Sequence, residues 1–286
     1  MARLPIAKTP KVYVGGAFIR SESGRTHPLK DARGAFFANI PQCTRKDLRN
    51  AVEAAAKAGP GWAKRTPCNR GQILYRLGEM IEARSAEMIG ALVRFGASRT
   101  AAAKGIAASV DRLVYYAGWA DKYEQVLGSV NPVASPHFNF TVTEPMGVVG
   151  VIAPDSPPLL GLVSLVAPAI VSGNTVVALA SEAFPYPAIL LGEMLAAGDF
   201  PNGVVNILTG FRRELVPTFA THAHLRAISA AVGAKERELL RLGAAESVKR
   251  THFKEPGADW LGDAAQGVYA IRDFVEFKTI WHPIGA

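Results

Sequence analysis

The chain has 286 residues, 49% of them hydrophobic and 20% charged, and carries a net charge of +8 at neutral pH. That is enough apolar material for one large or two modest buried cores, which excludes a disordered chain. The positive excess is spread over positions 1–50 and 211–254 without a dense basic run, so no nucleic-acid partner is expected.

The only cysteines are Cys43 and Cys68, and the stretch Met1–Lys8 has no apolar leader-like run, so a reduced, cytoplasmic setting is expected. Val12–Arg20 alternates about Gly15-Gly16, and Arg33-Gly34 leads into Ala35–Ile40, a pattern of short strands joined by turns. A helix is predicted from Thr44, as N-cap, to Lys57, with Val52, Ala55 and Ala56 on its apolar stripe and Gly59-Pro60-Gly61 ending it. A longer helix over Asn69–Arg94 places Ile73, Leu74, Leu77, Met80, Ile81, Met88 and Leu92 on one face. Another over Ser109–Gln125 turns Val110, Leu113, Val114 and Ala117 inward.

From Phe138 the period falls to two: Phe138, Phe140 and Val142 alternate with Asn139, Thr141 and Thr143, the mark of a half-buried strand. Strands Gly147–Ala153, Thr175–Ala180 and Val204–Leu208 then alternate with helices Leu159–Val171 and Ala188–Ala197. Continuous apolar strands between helices predict a parallel sheet covered on both faces, a doubly wound α/β architecture with its crevice beyond the carboxyl ends of the strands. The span Ser156–Ser181 has no charge and is long enough to cross a bilayer, but Pro157, Pro158, Pro168 and Ser172-Gly173-Asn174 break it, so no membrane contact is expected. A closing strand follows, with Val275, Phe277, Thr279 and Trp281 alternating with Glu276, Lys278 and Ile280.

Three runs stand in a telling order: Glu144-Pro145-Met146-Gly147-Val148-Val149-Gly150-Val151-Ile152-Ala153-Pro154, then Ser172-Gly173-Asn174-Thr175-Val176-Val177, then Pro201-Asn202-Gly203-Val204-Val205-Asn206-Ile207-Leu208-Thr209-Gly210. Together they resemble the aldehyde dehydrogenase superfamily, and most closely the truncated second module of two-module aldehyde dehydrogenases. The resemblance implies a Rossmann-like, cofactor-binding-type domain over 1–130 and 146–257. It implies oligomerisation strands and a tail over 131–145 and 258–286, with the catalytic domain absent. In that family the segments matching Phe138–Thr143 and Phe274–Pro283 form a small sheet that extends across a subunit boundary, so an oligomer is implied.

Aldehyde oxidation needs a thiolate nucleophile, donors for the oxyanion, a nicotinamide and a carboxylate that activates water. By the resemblance, Ser156 stands at the oxyanion asparagine's place; Asp155-Ser156 reads equally as a polar turn capping the next helix. The cofactor candidates are Ile152, Ala153, Pro154, Ser181 and Glu182, with Leu179 replacing the lysine that grips the adenosine ribose. Glu182 also reads as a cap for the helix after Pro185, or as a solvated acid. The pyrophosphate loop corresponds to Ala230–Glu236, where Gly233 and Lys235 are all that is left. Lys254 occupies the place of the water-activating carboxylate, and Glu255 is displaced to the other strand face.

The segment bearing the nucleophilic cysteine has no counterpart, and Cys43 and Cys68 read as ordinary thiols far upstream. His222 and His224 lack partners at metal-ligand spacing, so no metal site is expected. The resulting expectation is a noncatalytic structural or regulatory subunit, joined to a full-length aldehyde dehydrogenase or to itself, with NAD(P) binding weakened. Two alternatives stay open: an NAD(P)-dependent oxidoreductase using Ser156, Glu182 and a cysteine on aldehydes, and a nucleotide-binding sensor without chemistry.

Overall fold

The computed structural model describes residues 8–285, so nearly all of the N-terminal stretch read for a leader lies outside the described residues. Strands β1 (Val12–Val14) and β2 (Ala17–Ile19) form a hairpin whose turn places Gly15 and Gly16 at φ 61° and 86°. Side chains at those angles would be strained, so the glycine pair sets the turn. β3 (Thr26–Lys30) and β4 (Phe36–Pro41) make a second antiparallel pair.

Helix α1 (Arg45–Ala63) begins as predicted, with Thr44 and Asp47 forming a reciprocal capping box. It does not stop at Gly59-Pro60-Gly61; Pro60 lies inside its last turns. The reason is tertiary: Trp62 is buried, its Nε1 donates to the Ile170 carbonyl at 2.9 Å, and its ring lies 5.8 Å from that of Phe200. The single helix predicted over 69–94 is likewise two, α2 (Pro67–Ala83) and α3 (Ser85–Arg94), parted at Arg84 with φ −107° and ψ 18°. Arg84 there pairs with Glu87 and with Glu193 of a later helix. α4 (Arg99–Trp119) starts well before Ser109 because Ser98 caps it, and α5 (Tyr123–Leu127) is separate. Val114, predicted to face inward, is exposed.

The chain continues through β5 (Ser129–Asn131), β6 (His137–Pro145), β7 (Val148–Ile152), α6 (Pro158–Val171), β8 (Thr175–Leu179), α7 (Tyr186–Ala197) and β9 (Val205–Leu208). It ends through α8 (Arg212–Thr221), β10 (Leu225–Ala231), α9 (Ala234–Ala245), β11 (Arg250–Lys254), α10 (Val268–Arg272) and β12 (Val275–Pro283). Seven strands form one sheet in the order β11-β10-β7-β8-β9-β1-β2, with β7 to β11 parallel and the β1–β2 hairpin antiparallel at the β9 edge. Alternation along β7 sends Val149 and Val151 into the core under α2, α4, α6 and α7, and Val148 and Ile152 into the core under α1, α8 and α9. This is the doubly wound sheet expected, and its order reverses between β7 and β10.

The uncharged span Ser156–Ser181 resolves into a loop, α6, a turn and β8. Among the described residues no helix is long and apolar enough to cross a membrane.

A second sheet has the order β12-β6-β5, with Phe140 opposite both Ile280 and Val130. The alternation predicted for Phe138–Thr143 is present, and its buried side is that of Asn139. Asn139 is buried, and Asn131, Asn139, Thr141 and Thr279 are linked by hydrogen bonds on its face, which turns outward along β12 at Phe277, Thr279 and Trp281. Val130, Phe138, Val142 and Ile280 are exposed on the other face, with Phe138 and Phe140 rings 5.2 Å apart.

Candidate cofactor crevice

A crevice belongs where strand order reverses, beyond the carboxyl ends of β7, β8 and β10. Ile152 and Ala153 end β7 fully buried, held by Ala153 N–H donating to the Leu179 carbonyl at 3.0 Å. Pro154 is also buried and lies close against Gly161 of α6, where an added Cβ would come 2.2 Å from its Cγ. These three candidates therefore shape the floor.

Asp155 dominates the loop above it. Its Oδ1 accepts from Ser181 Oγ at 2.9 Å and from the backbone N–H groups of Glu182 and Ala183 at 3.0 and 3.2 Å. Its other oxygen pairs with Arg212 Nη1 at 3.1 Å. Arg212 also donates from Nη2 to the Ala153 carbonyl at 2.7 Å, and its own backbone N–H is taken by Glu182 at 2.6 Å. The crevice is thus crossed by a closed set of bonds, Asp155 to Ser181 and Glu182, Glu182 to Arg212, and Arg212 back to Asp155.

Two sequence expectations change here. Asp155 and Ser156 do not cap α6, whose first residues have no side-chain cap; Asp155 instead ties the β7 and β8 ends together. Glu182 does act as a cap, but for α8 rather than for the helix after Pro185. Ser156 is exposed and opens onto a cleft of about 210 Å³ walled by Leu92, Phe95 and Phe184. Leu179 is fully buried in the core on the α1 side.

Gly233 starts α9 without a side-chain cap, and nothing stands within 4 Å of where its Cβ would be, so that helix start is open. Lys254 ends β11 exposed, and Glu255 is paired with Arg237 at 2.8 Å. Arg212 is the residue that sequence reasoning missed. Its signal was available: it follows Gly210 at the carboxyl end of β9, where the architecture places ligand contacts.

A dinucleotide's ribose would need a free carboxylate and a nearby cation. Glu182 gives one oxygen to the Arg212 N–H, but the Arg212 guanidinium is drawn to Asp155 and Ala153 and Leu179 is apolar and sealed, so the cation that the adenosine end of the cofactor needs is not offered there. The α9 start keeps the open geometry that suits a phosphate.

Neither thiol serves the crevice. Cys43 is fully buried, and burial pushes its pKa up to about 12. Cys68 is exposed at the start of α2, in a groove between α2 and α4 that shares none of the crevice residues. Alkylating the folded protein near pH 8 is therefore expected to mark Cys68 and spare Cys43 until denaturant is added, because only the thiolate reacts. Peptide mass spectrometry checks this, and prompt labelling of Cys43 would contradict its burial.

The aldehyde dehydrogenase family matches this chain over residues 18–261. Similar curated proteins include retinal dehydrogenase 2 of Gallus gallus, 32% identical over 93% of this chain and 51% of that protein. Another is 2-hydroxymuconic semialdehyde dehydrogenase of Pseudomonas sp. (strain CF600), 33% identical over 87% of this chain and 53% of that one. Among solved structures, the NAD+ complex of aldehyde dehydrogenase from Bacillus cereus superposes with a TM-score of 0.83 at 26% identity, covering 87% of this chain and 51% of that one. The chain spans about half the length of the curated relatives it matches.

Proposed function

The chain belongs to the aldehyde dehydrogenase family, and from that premise we propose that it is a noncatalytic member acting as a structural or regulatory subunit of an assembly with a full-length aldehyde dehydrogenase. The observation that carries this reading is the bonding of Asp155, Glu182 and Arg212 across the crevice, which pairs Asp155 with Arg212 and ties one oxygen of Glu182 to the start of α8.

Three further features support it. Lys254 stands where the resemblance implies a water-activating carboxylate, and an ammonium cannot take up a proton from water. Cys43 is buried as a thiol, and Cys68 lies elsewhere, so no activated nucleophile meets the crevice. The outward apolar face of the small sheet, beside the open edge of β12, offers a surface for another chain.

The experiment is purification of the tagged chain from its native host with identification of what accompanies it. A full-length aldehyde dehydrogenase is the expected companion, and recovery as a free monomer would overturn the assignment. In parallel, the isolated chain supplied with aldehydes and NAD(P) is expected to give no reduced cofactor above background. Turnover lost on Cys68→Ser would instead favour an oxidoreductase. NAD binding without turnover, weakened by Glu182→Ala, would favour a sensor.

A further inference from the structure

Two clefts lie one after the other along a flank of α1, and neither includes a crevice residue. The first, of about 530 Å³, runs between the opening turns of α1 and the end of α8, walled by Thr44, Arg45, Lys46, Arg49, Thr218 and His222. The second, of about 350 Å³, lies between the last turns of α1 and the start of β10. They adjoin at the turn after α8, where the rings of His222 and His224, one in each wall, are 6.1 Å apart. Neither wall contains an aspartate or a glutamate.

Charge on this flank is unevenly matched. Four exposed cations, Arg45, Lys46, Arg49 and Arg226, stand against two exposed acids, Glu22 and Glu53. Glu22 pairs with Lys46, while Glu53 reaches Arg49 only at 3.8 Å. Among the described residues, Arg45 and Arg226 have no carboxylate within 4 Å. Asp47 lies beneath them, buried, its oxygens taken by Ser21 Oγ and by the N–H groups of Glu22 and Thr44 at 2.8, 2.9 and 2.7 Å. Burial, and then the nearby His224 and Lys249, hold the His222 imidazole below its usual pKa, so the ring is neutral at pH 7. Because His224 N–H donates to Nδ1 at 3.4 Å, its Nε2 carries the proton and is a donor without further protonation.

The second cleft has a different floor. Pro60, Ala63, Pro145 and Met146 make it apolar, Gly59, Gly147 and Gly173 leave room between them, and Arg226 and His224 are exposed at its rim. From Arg45 to Pro60 the flank measures about 22 Å at 1.5 Å per helical residue, the reach of about seven residues of extended chain. Cations at both ends and an apolar cleft near one suit a peptide better than a small anion. Neither wall has a phenylalanine, tyrosine or tryptophan on which a base could stack, so single-stranded nucleic acid is the poorer fit.

We propose that this flank is a docking groove for an extended acidic segment of a partner protein, its carboxylates meeting Arg45, Arg49 and Arg226 and one apolar side chain resting against Pro60 and Met146. The groove does not depend on the subunit role proposed above, since it shares no residue with the crevice and touches the small sheet only at Pro145.

The test is fluorescence anisotropy of the full chain with a fluorescein-labelled heptapeptide, leucine at its second and sixth positions and aspartate elsewhere. Saturable binding that weakens with added salt is expected, because exposed charges are screened. Arg45→Gln together with Arg49→Gln is expected to weaken it about fivefold or more, and Arg226→Gln to act in the same direction, on the scale of exposed ion pairs. Met146→Ser is expected to remove the preference for this peptide over an all-aspartate one, which reads the apolar cleft separately. All three arginines are exposed, so their variants keep the fold, and circular dichroism checks each. No saturable binding, or binding indifferent to all three arginines, would overturn the groove. Equal binding of the all-aspartate peptide would remove the apolar cleft from it, and tighter binding of a heptathymidylate would assign the surface to nucleic acid instead.

Discussion

Replacing Trp62 by alanine is expected to lower the free energy of unfolding by about 3–5 kcal/mol, the range for removing a buried indole from a packed core. Trp62 is 1% exposed, packs by Phe200, and hydrogen bonds through Nε1 to Ile170 at the end of α6. Its loss removes the contact that draws α1 past Pro60, so the last turn of that helix should fray as well. Trp62→Phe separates the two contributions. The ring is largely kept, and the Ile170 carbonyl still accepts from Gly173 N–H at 3.1 Å, so only about 0.5–1.5 kcal/mol should go with the indole bond. Urea unfolding followed by circular dichroism gives both values. A Trp62→Ala variant as stable as the parent would show that the helix extension is not held by this side chain.

Phe140→Asp together with Ile280→Asp is expected to abolish association while leaving the fold intact. The two residues are register partners on the outward face of the small sheet, continuous with Val130, Phe138 and Val142. A carboxylate there costs the free chain little, because the face is reached by solvent. In a complex it would be desolvated without a partner, and a central contact of this kind is worth about 2 kcal/mol or more, some thirtyfold in affinity per site. Sedimentation velocity reads the mass of the chain alone, and pull-down with a full-length aldehyde dehydrogenase reads the mixed assembly. A mass and a pull-down yield unchanged by the pair would place the interface elsewhere and remove the small sheet from the proposal.

Both outcomes concern features that sequence patterns described incompletely. The apolar period of Phe138, Phe140 and Val142 is plain, but alternation names two faces without saying which one is inward. Asn139 settled that by its burial and its bond to Asn131, while Phe138 and Val142 stay exposed. Gly59-Pro60-Gly61 is a sound local stop signal that was overridden because Trp62 found a core site more than a hundred residues downstream. Arg84 similarly parts a continuous helical period, drawn aside by Glu193. For the crevice, the resemblance offered an expectation at each position in order: Ser156 for an amide, Leu179 for a cation, Lys254 for an acid. That Glu182 caps α8, and that Arg212 spans the crevice to Asp155, could not, since those pairings join distant segments.

What the amino-acid order settled unaided was the doubly wound sheet, because continuous apolar strands such as Val148–Ile152 and Thr175–Leu179 can be buried only between two helical layers. The closing of the crevice and the outward turn of the apolar sheet face were decided by the tertiary structure alone. Each depends on side chains meeting across long loops, and a one-dimensional period carries no information about which distant partner satisfies a buried charge or donor.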